Sequence, residues 1–257
     1  MESLTQLISN YTPIGLDEMK SVKLMKRKDT KYVLPDWLLP NILEKIYDSY
    51  KIFEISGTRI SRYENLYFDT EDFMFYLKHH QGKLNRHKVR FRKYVDSELC
   101  YFEIKFKNNK RMTFKKRIKG EKIDTSINGE RENFLTAQTG MNAKSLIPRL
   151  WANYSRITLV NKFSPERLTL DLNLNYHLNG MEATFPNLVI AEVKQTKYDR
   201  ISSPFMRMMK DIRIPENSIS KYCLGLTSIF QQLKKNNFKN KFLTLNKILH
   251  ATPPTTC

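Results

Sequence analysis

The stretch Lys88-Val-Arg-Phe-Arg-Lys-Tyr-Val95 is followed, after the linking residues 96–99, by Cys100-Tyr-Phe-Glu-Ile-Lys-Phe-Lys107. In the first run Lys88, Arg90, Arg92 and Tyr94 share one face, while Val89, Phe91 and Val95 share the other. In the second, Tyr101, Glu103, Lys105 and Lys107 oppose Phe102, Ile104 and Phe106. Side chains alternate across a strand, so period-two patterning predicts two strands, each with a dry face and a charged face. Asn108-Asn109 comes next, both residues tolerant of positive φ, and Met112–Ile118 alternates again, which predicts a hairpin.

Outward from this hairpin, further strands are expected at Leu24–Leu34, Arg59–Phe68, Ala152–Leu159, Arg167–Leu174 and Leu188–Gln195, with Asn179-Gly180 a turn before the last. The total is about eight strands, mostly antiparallel. Helices are fewer. Leu39, Leu43, Ile46, Tyr47 and Tyr50 recur at helical spacing after Asp36, a candidate cap. Shorter helices are expected over Phe73–His80, around Pro204–Asp211, and from Ser220, a second candidate cap, to about Leu233. The fold class is therefore α+β. Residues 1–233 form one domain, and 234–257, basic and then Pro/Thr-rich, form a loosely ordered tail.

Lys and Arg number 44 against 26 Asp and Glu, a formal charge of +18. Such an excess repels itself in the folded state, and points to a polyanion: nucleic acid, an anionic membrane surface or polyphosphate. Cys100, Cys223 and Cys257 show no C-x-x-C spacing, as expected of a reduced intracellular chain. No leader sequence or long apolar run is present, so a cytoplasmic protein is expected, with the membrane periphery as a secondary location.

Charged strand faces ordinarily face solvent. Two features set these apart. Arg90-x-Arg92 concentrates fork-shaped guanidinium groups suited to bidentate phosphate contact. Glu103-x-Lys105 and Glu192-x-Lys194 each hold a carboxylate, suited to a metal, beside an ammonium suited to a phosphate oxygen. If the sheet closes into a barrel, the charges line its lumen and the apolar faces pack outward under helices.

Arg27-Lys-Asp-Thr-Lys-Tyr-Val-Leu34, Tyr67-Phe-Asp-Thr70 with Tyr76, Lys88–Tyr94, Phe102–Lys107, Tyr154-Ser-Arg156, Arg167-Leu-Thr-Leu-Asp171, Ala191-Glu-Val-Lys194 and Ser220-Lys-Tyr222 stand in one order. From about Met25 to Gly225 this order resembles the VTC-type polyphosphate polymerase domain, of the triphosphate tunnel metalloenzymes. The resemblance implies an eight-stranded antiparallel β-barrel tunnel with flanking helices, in which inward bases grip phosphates and an acid holds Mn²⁺ or Mg²⁺. Carried residue by residue, it implies catalytic roles for Lys31, Arg90, Arg92, Lys105, Arg167, Lys194 and Lys221, and makes Glu192 the metal ligand. Lys115, Arg117 and Arg156 are further phosphate contacts. ATP and polyphosphate are the implied partners, nucleic acid is not expected, and a membrane-embedded subunit would be a separate chain. The chain departs from the wider superfamily's E-x-E-x-K strand, reading Arg27-x-Asp29-x-Lys31. Only about two dozen residues precede the first strand, so no phosphate-sensing SPX-like domain is expected.

Three rivals stay open at this level. Water in place of a phosphate acceptor makes the same site a triphosphate or polyphosphate hydrolase. A binding module would hold polyphosphate by charge alone, with strong salt dependence and no metal dependence. A metal-dependent nuclease would use Asp171 with Glu192-Val-Lys194, but leaves Arg90, Arg92 and Lys105 unexplained. The histidines, including His79, His80 and His87, show no ligand spacing and are expected at the surface.

Overall fold

The computed structural model describes residues 4–21, 27–196 and 203–250. In chain order these form α1 (Leu4–Ser9), β1 (Pro13–Ile14), α2 (Leu16–Ser21), β2 (Arg27–Pro35), α3 (Leu39–Ile46), β3 (Tyr50–Phe53), β4 (Ile60–Asp69), α4 (Met74–His80), β5 (Arg86–Tyr94), β6 (Leu99–Lys107), β7 (Thr113–Gly120), α5 (Glu130–Thr139), β8 (Ile147–Asn161), β9 (Glu166–Leu178), β10 (Met181–Phe185), β11 (Leu188–Thr196), α6 (Pro204–Asp211), α7 (Lys221–Ile229) and α8 (Lys239–Leu249). The expected strand start at residues 24–26, Cys257 and the Pro/Thr-rich end lie outside the described residues.

The expected antiparallel strands are present, hydrogen-bonded in the order β2-β11-β9-β8-β4-β5-β6-β7. Every pair on this path is antiparallel. The closed barrel is not found. Among the described residues β7 and β2 do not pair, so the sheet is open. Both edges are blunted in ways that oppose pairing. Residues Thr113–Arg117 of β7 are exposed and carry three bases. On β2, the Lys31 carbonyl already accepts the Asn217 amide at 2.7 Å. Three short strands were not anticipated: β1 pairs with β3, β3 with β8 and β10 with β9. At two to five residues they are too short for alternation to register.

The sheet curls so that its charged faces converge. Lys105 on β6 lies in the electrostatic field of Lys31 and Asp29 on β2 and Glu192 on β11, far away along the pairing path. The segment before α7 crosses the concave side. Ile219 O accepts from Lys31 Nζ at 3.3 Å, Ser220 Oγ accepts from Lys88 Nζ at 2.7 Å, and Lys221 Nζ donates to Asp171.

The apolar faces pack outward, as the alternation predicts. Val89, Phe91, Phe102 and Ile104 form a core with Leu135 of α5. Leu170, Val189, Ala191 and Val193 form another with Ile42 and Leu43 of α3 and Phe205 and Met209 of α6. A third core sits inside the curl, where Tyr222, Leu224 and Leu226 of α7 meet Leu150, Leu174, Tyr176 and Ile190. A Cβ on Gly225 would lie 2.3 Å from Tyr176 Cδ1, so only glycine lets α7 seat this closely. The helix fills the apolar part of the concave side, and the charged part begins at its N-terminus.

Local signals explain most helix boundaries. Ser203 Oγ accepts from the Met206 amide at 3.2 Å with Pro204 in the first turn, and Ser220 Oγ caps α7. The helix expected over Asp36–Tyr50 is interrupted. Short 3₁₀ turns flank α3, Asp36 makes no side-chain cap, and Tyr50 opens β3. Tyr50 is fully buried and its hydroxyl donates to Glu166, so sheet pairing overrides the helical period there. Asn179 and Gly180 have φ of 47° and 80°, the two-residue turn expected, although it leads into β10 first. At the β6–β7 turn the positive φ falls on Arg111, at 60°, and neither Asn108 nor Asn109 adopts it. Asn108 instead caps the turn, its Oδ1 accepting from the Met112 amide at 2.8 Å.

The segment expected as a tail carries α8 in its described part. Phe238, Phe242, Leu245 and Leu249 recur on one face of the segment containing α8 and join the α7 core, with Leu245 buried. That apolar period, partly hidden among seven lysines and asparagines over residues 234–241, gives the segment a face to pack on the core.

Candidate functional site

Register places the charged residues on one concave face. Arg90 stands opposite Glu103, which stands opposite Arg117, and Lys105 stands opposite Lys115. Across the sheet, Arg156 is opposite Asp171, Arg167 opposite Lys194, and Lys31 opposite Glu192. Lys221 reaches the same face from the first turn of α7. The sequence-predicted bases and Glu192 are therefore brought onto one face.

Three acids on it are each held between two bases. Glu103 receives Arg90 on Oε2, from Nε at 2.9 Å and Nη2 at 2.7 Å, and Lys115 Nζ on Oε1 at 2.6 Å. Asp171 receives Arg156 through Nε at 2.5 Å and Nη2 at 2.9 Å, and also Lys221. Glu192 receives Lys194 on one oxygen and faces Lys31 at 3.6 Å on the other. Burial pushes all three carboxyls up, but the flanking cations outweigh it and hold them well below the ordinary carboxylate range.

For the lysines burial prevails, and it too lowers the pKa. Lys105 is pushed down to about 8 by burial and then by Lys31, with Glu192 and Asp29 opposing. Lys194 falls to about 8, because burial and Arg156 cost its ammonium more than Glu192 returns. Lys88 falls to about 7 through burial, with Lys105 and Lys31 adding repulsion. Lysines crowded this closely gain by receiving an anion.

Not every predicted residue is equally placed. Arg92 is buried, its Nε donating to Asn65 Oδ1 at 2.8 Å and its Nη2 to the Tyr154 hydroxyl at 2.9 Å. Arg117 is exposed and stacks its guanidinium 4.1 Å from the Tyr101 ring centroid, at the rim. Lys88 and Tyr67, whose hydroxyl accepts from Arg90 Nη1 at 2.9 Å, were not among the predicted site residues. The alternation that exposed Arg90 also placed Lys88 on that face.

Among the described residues, no group of three or more His, Cys, Asp or Glu side chains could hold a metal. Glu192 offers one hard carboxylate on the basic face. That suits Mg²⁺ or Mn²⁺, which take one or two carboxylates and complete their shell with waters and phosphate oxygens. The nuclease arrangement lacks its context: Asp171 is held by Arg156 and Lys221, and the strands that carry it are antiparallel.

The expectation of surface histidines is corrected for His80. His80 is buried, stacks on Tyr76 at 6.1 Å and accepts from the Asn237 amide at 3.2 Å. His79 Nδ1 lies 3.0 Å from Cys223 Sγ, and burial pushes its pKa down. Phe238 packs edge-on against both rings, 6.2 Å from His79 and 5.2 Å from His80. His87 stacks with Phe106 at 4.7 Å.

The architecture is that of an antiparallel sheet curled around a strongly basic face, and the VTC domain model matches residues 26–230. The chain belongs to the VTC domain family. No curated protein matches it. Among solved structures it is similar to a candidate adenylyl cyclase from Hippeastrum described as having a dominant triphosphatase activity, at 14% identity and TM-score 0.49, over 79% of this chain and 96% of that one. It is similar also to a candidate adenylate cyclase from Bacillus halodurans, at 14% identity and TM-score 0.47, over 76% and 96%. A third, a candidate adenylate cyclase from Vibrio parahaemolyticus, shows 11% identity and TM-score 0.47, over 79% and 99%.

Proposed function

We propose that the concave face binds ATP and polyphosphate and transfers the ATP γ-phosphoryl group to the end of a polyphosphate chain. The observation that carries this reading is the convergence of Lys31, Arg90, Lys105, Arg156, Lys194 and Lys221 on one face. Phosphoryl transfer through a loose transition state asks little covalent help from protein, since positioning and neutralisation supply most of the acceleration. Arginine forks hold successive phosphates in line, and the lysines neutralise charge that builds on the equatorial oxygens. The acids hold the bases of this face in place, and each base they hold is released to a phosphate on binding. Glu192 would hold a divalent cation, which would supply Lewis-acid stabilisation of the charge that builds during transfer.

The test is incubation with ATP and Mn²⁺ or Mg²⁺, followed by gel analysis of phosphate chains alongside an orthophosphate assay. Long chains support the transferase. Orthophosphate and ADP without chains make the site a hydrolase, and tight binding with neither product makes it a binding module.

A further inference from the structure

We infer that the β6–β7 hairpin is a docking element for an anionic lipid bilayer. Between Glu103 and Glu121 the sequence has no acid and eight bases: Lys105, Lys107, Lys110, Arg111, Lys115, Lys116, Arg117 and Lys119. Several belong to the concave face. Lys110 and Arg111 do not, because they sit in the turn, and Lys116 points to the opposite face of β7 from Lys115. At the same tip Met112 is 52% exposed and Phe114 is 49% exposed.

The tip is built, not frayed. The Asn108 amide donates to Met112 O at 2.9 Å, the Arg111 amide to Asn108 O at 3.1 Å, and Asn108 Oδ1 caps Met112. Arg111 takes a left-handed φ of 60° although Asn109, better suited to it, is two residues away. The turn thereby presents a basic residue within three positions of two large exposed apolar residues. Like charges gather there too: Lys107 lies within the repulsive reach of both Arg86 and Arg111.

A soluble polyanion accounts for the bases and not for Met112 and Phe114. A bilayer accounts for both, since anionic headgroups attract the bases while a methionine and a phenylalanine enter the interface between them. This inference is independent of which phosphate chemistry the concave face performs.

The experiment is cosedimentation of the full chain with vesicles of phosphatidylcholine alone and with 30% phosphatidylserine, in excess tripolyphosphate so that the concave face is occupied. Expected is binding to the anionic vesicles only, weakened by salt. Each basic residue near such a surface is worth roughly fivefold in affinity, so Lys110→Ser/Arg111→Ser should lose about 25-fold. Met112→Ser/Phe114→Ser should weaken vesicle binding while leaving affinity for soluble long-chain polyphosphate unchanged. All four residues are exposed, so unchanged melting temperatures confirm that the variants fold. Equal sedimentation with neutral vesicles, or variants that bind anionic vesicles like the parent, would overturn the inference. So would variants that lose polyphosphate affinity and keep vesicle binding, which would make the hairpin a guide for the soluble chain.

Discussion

Replacing Asp171 by Asn keeps its shape and removes its charge, leaving Arg156 and Lys221 facing each other without the acid between them. Asp171 is 1% exposed, and the Arg156 and Lys221 side chains are 15% and 16% exposed. Removing one partner of a buried ion pair costs about 3–5 kcal/mol, because the remaining charge stays desolvated and unpaired. Here two cations remain, and the lower figure applies only if one of them swings into solvent. For a chain of this size each kcal/mol shifts the melting temperature by roughly 2–4 °C, so a loss of at least ~6 °C is expected in phosphate-free buffer. Tripolyphosphate supplies the missing negative charge. Ligand at 100 times its Kd stabilises a binder by about 2.7 kcal/mol, and the variant should gain more than the parent because its bases carry no competing carboxylate. Scanning calorimetry of both proteins, with and without tripolyphosphate, reads this directly. Equal melting temperatures without ligand would refute the buried triad. Equal stabilisation by ligand would show that Arg156 and Lys221 do not meet phosphate.

Glu192→Gln should abolish metal-dependent turnover while metal-free polyphosphate binding stays equal or tightens, measured by activity against Mn²⁺ and by calorimetry; full Mn²⁺-dependent activity would remove Glu192 as the ligand. Gly225→Ala forces a Cβ into Tyr176 and should lower stability by about 1–3 kcal/mol, seen as a lower denaturation midpoint, whereas a neutral effect would mean that α7 is not seated inside the curl. Lys88, at about 7, and Lys105 and Lys194, at about 8, lie below the ordinary lysine value of 10.5. Between about pH 7 and 10.5 the unfolded chain therefore binds more protons than the folded one, and stability rises with pH through that window. Phosphate affinity should fall over the same range with proton uptake on binding near pH 8, detected by calorimetry in buffers of different ionisation heat; binding without proton uptake would place these lysines away from the ligand.

The strands and the site face were legible because one physical rule, alternation, governs both. The runs Lys88–Tyr94 and Cys100–Lys107 show it on either side of a short turn, and the register follows once the apolar residues are buried together. Closure was not legible, because an edge is decided by what meets it: the Asn217 amide on Lys31 O is a contact between distant residues with no sequence period. The break at Tyr50 is of the same kind, set by Glu166 across the fold. The tail helix and the burial of His80 went together, since the apolar residues from Phe238 to Leu249 are sparse among lysines and asparagines. Glu103 and Asp171 were visible as acids near bases, but their enclosure by two cations each depends on strands far apart in sequence. Lys88 was in plain view on the Arg90 face, and only its bond to Ser220 marks it as part of the site.

The central claim is that several bases on one concave face act together on several phosphates. Isothermal titration of the chain with orthophosphate, pyrophosphate and tripolyphosphate at one ionic strength tests it most directly. The account predicts affinity that climbs steeply with each added phosphate and weakens as salt rises, because each phosphate engages a further base. Equal affinity for orthophosphate and tripolyphosphate would contradict it.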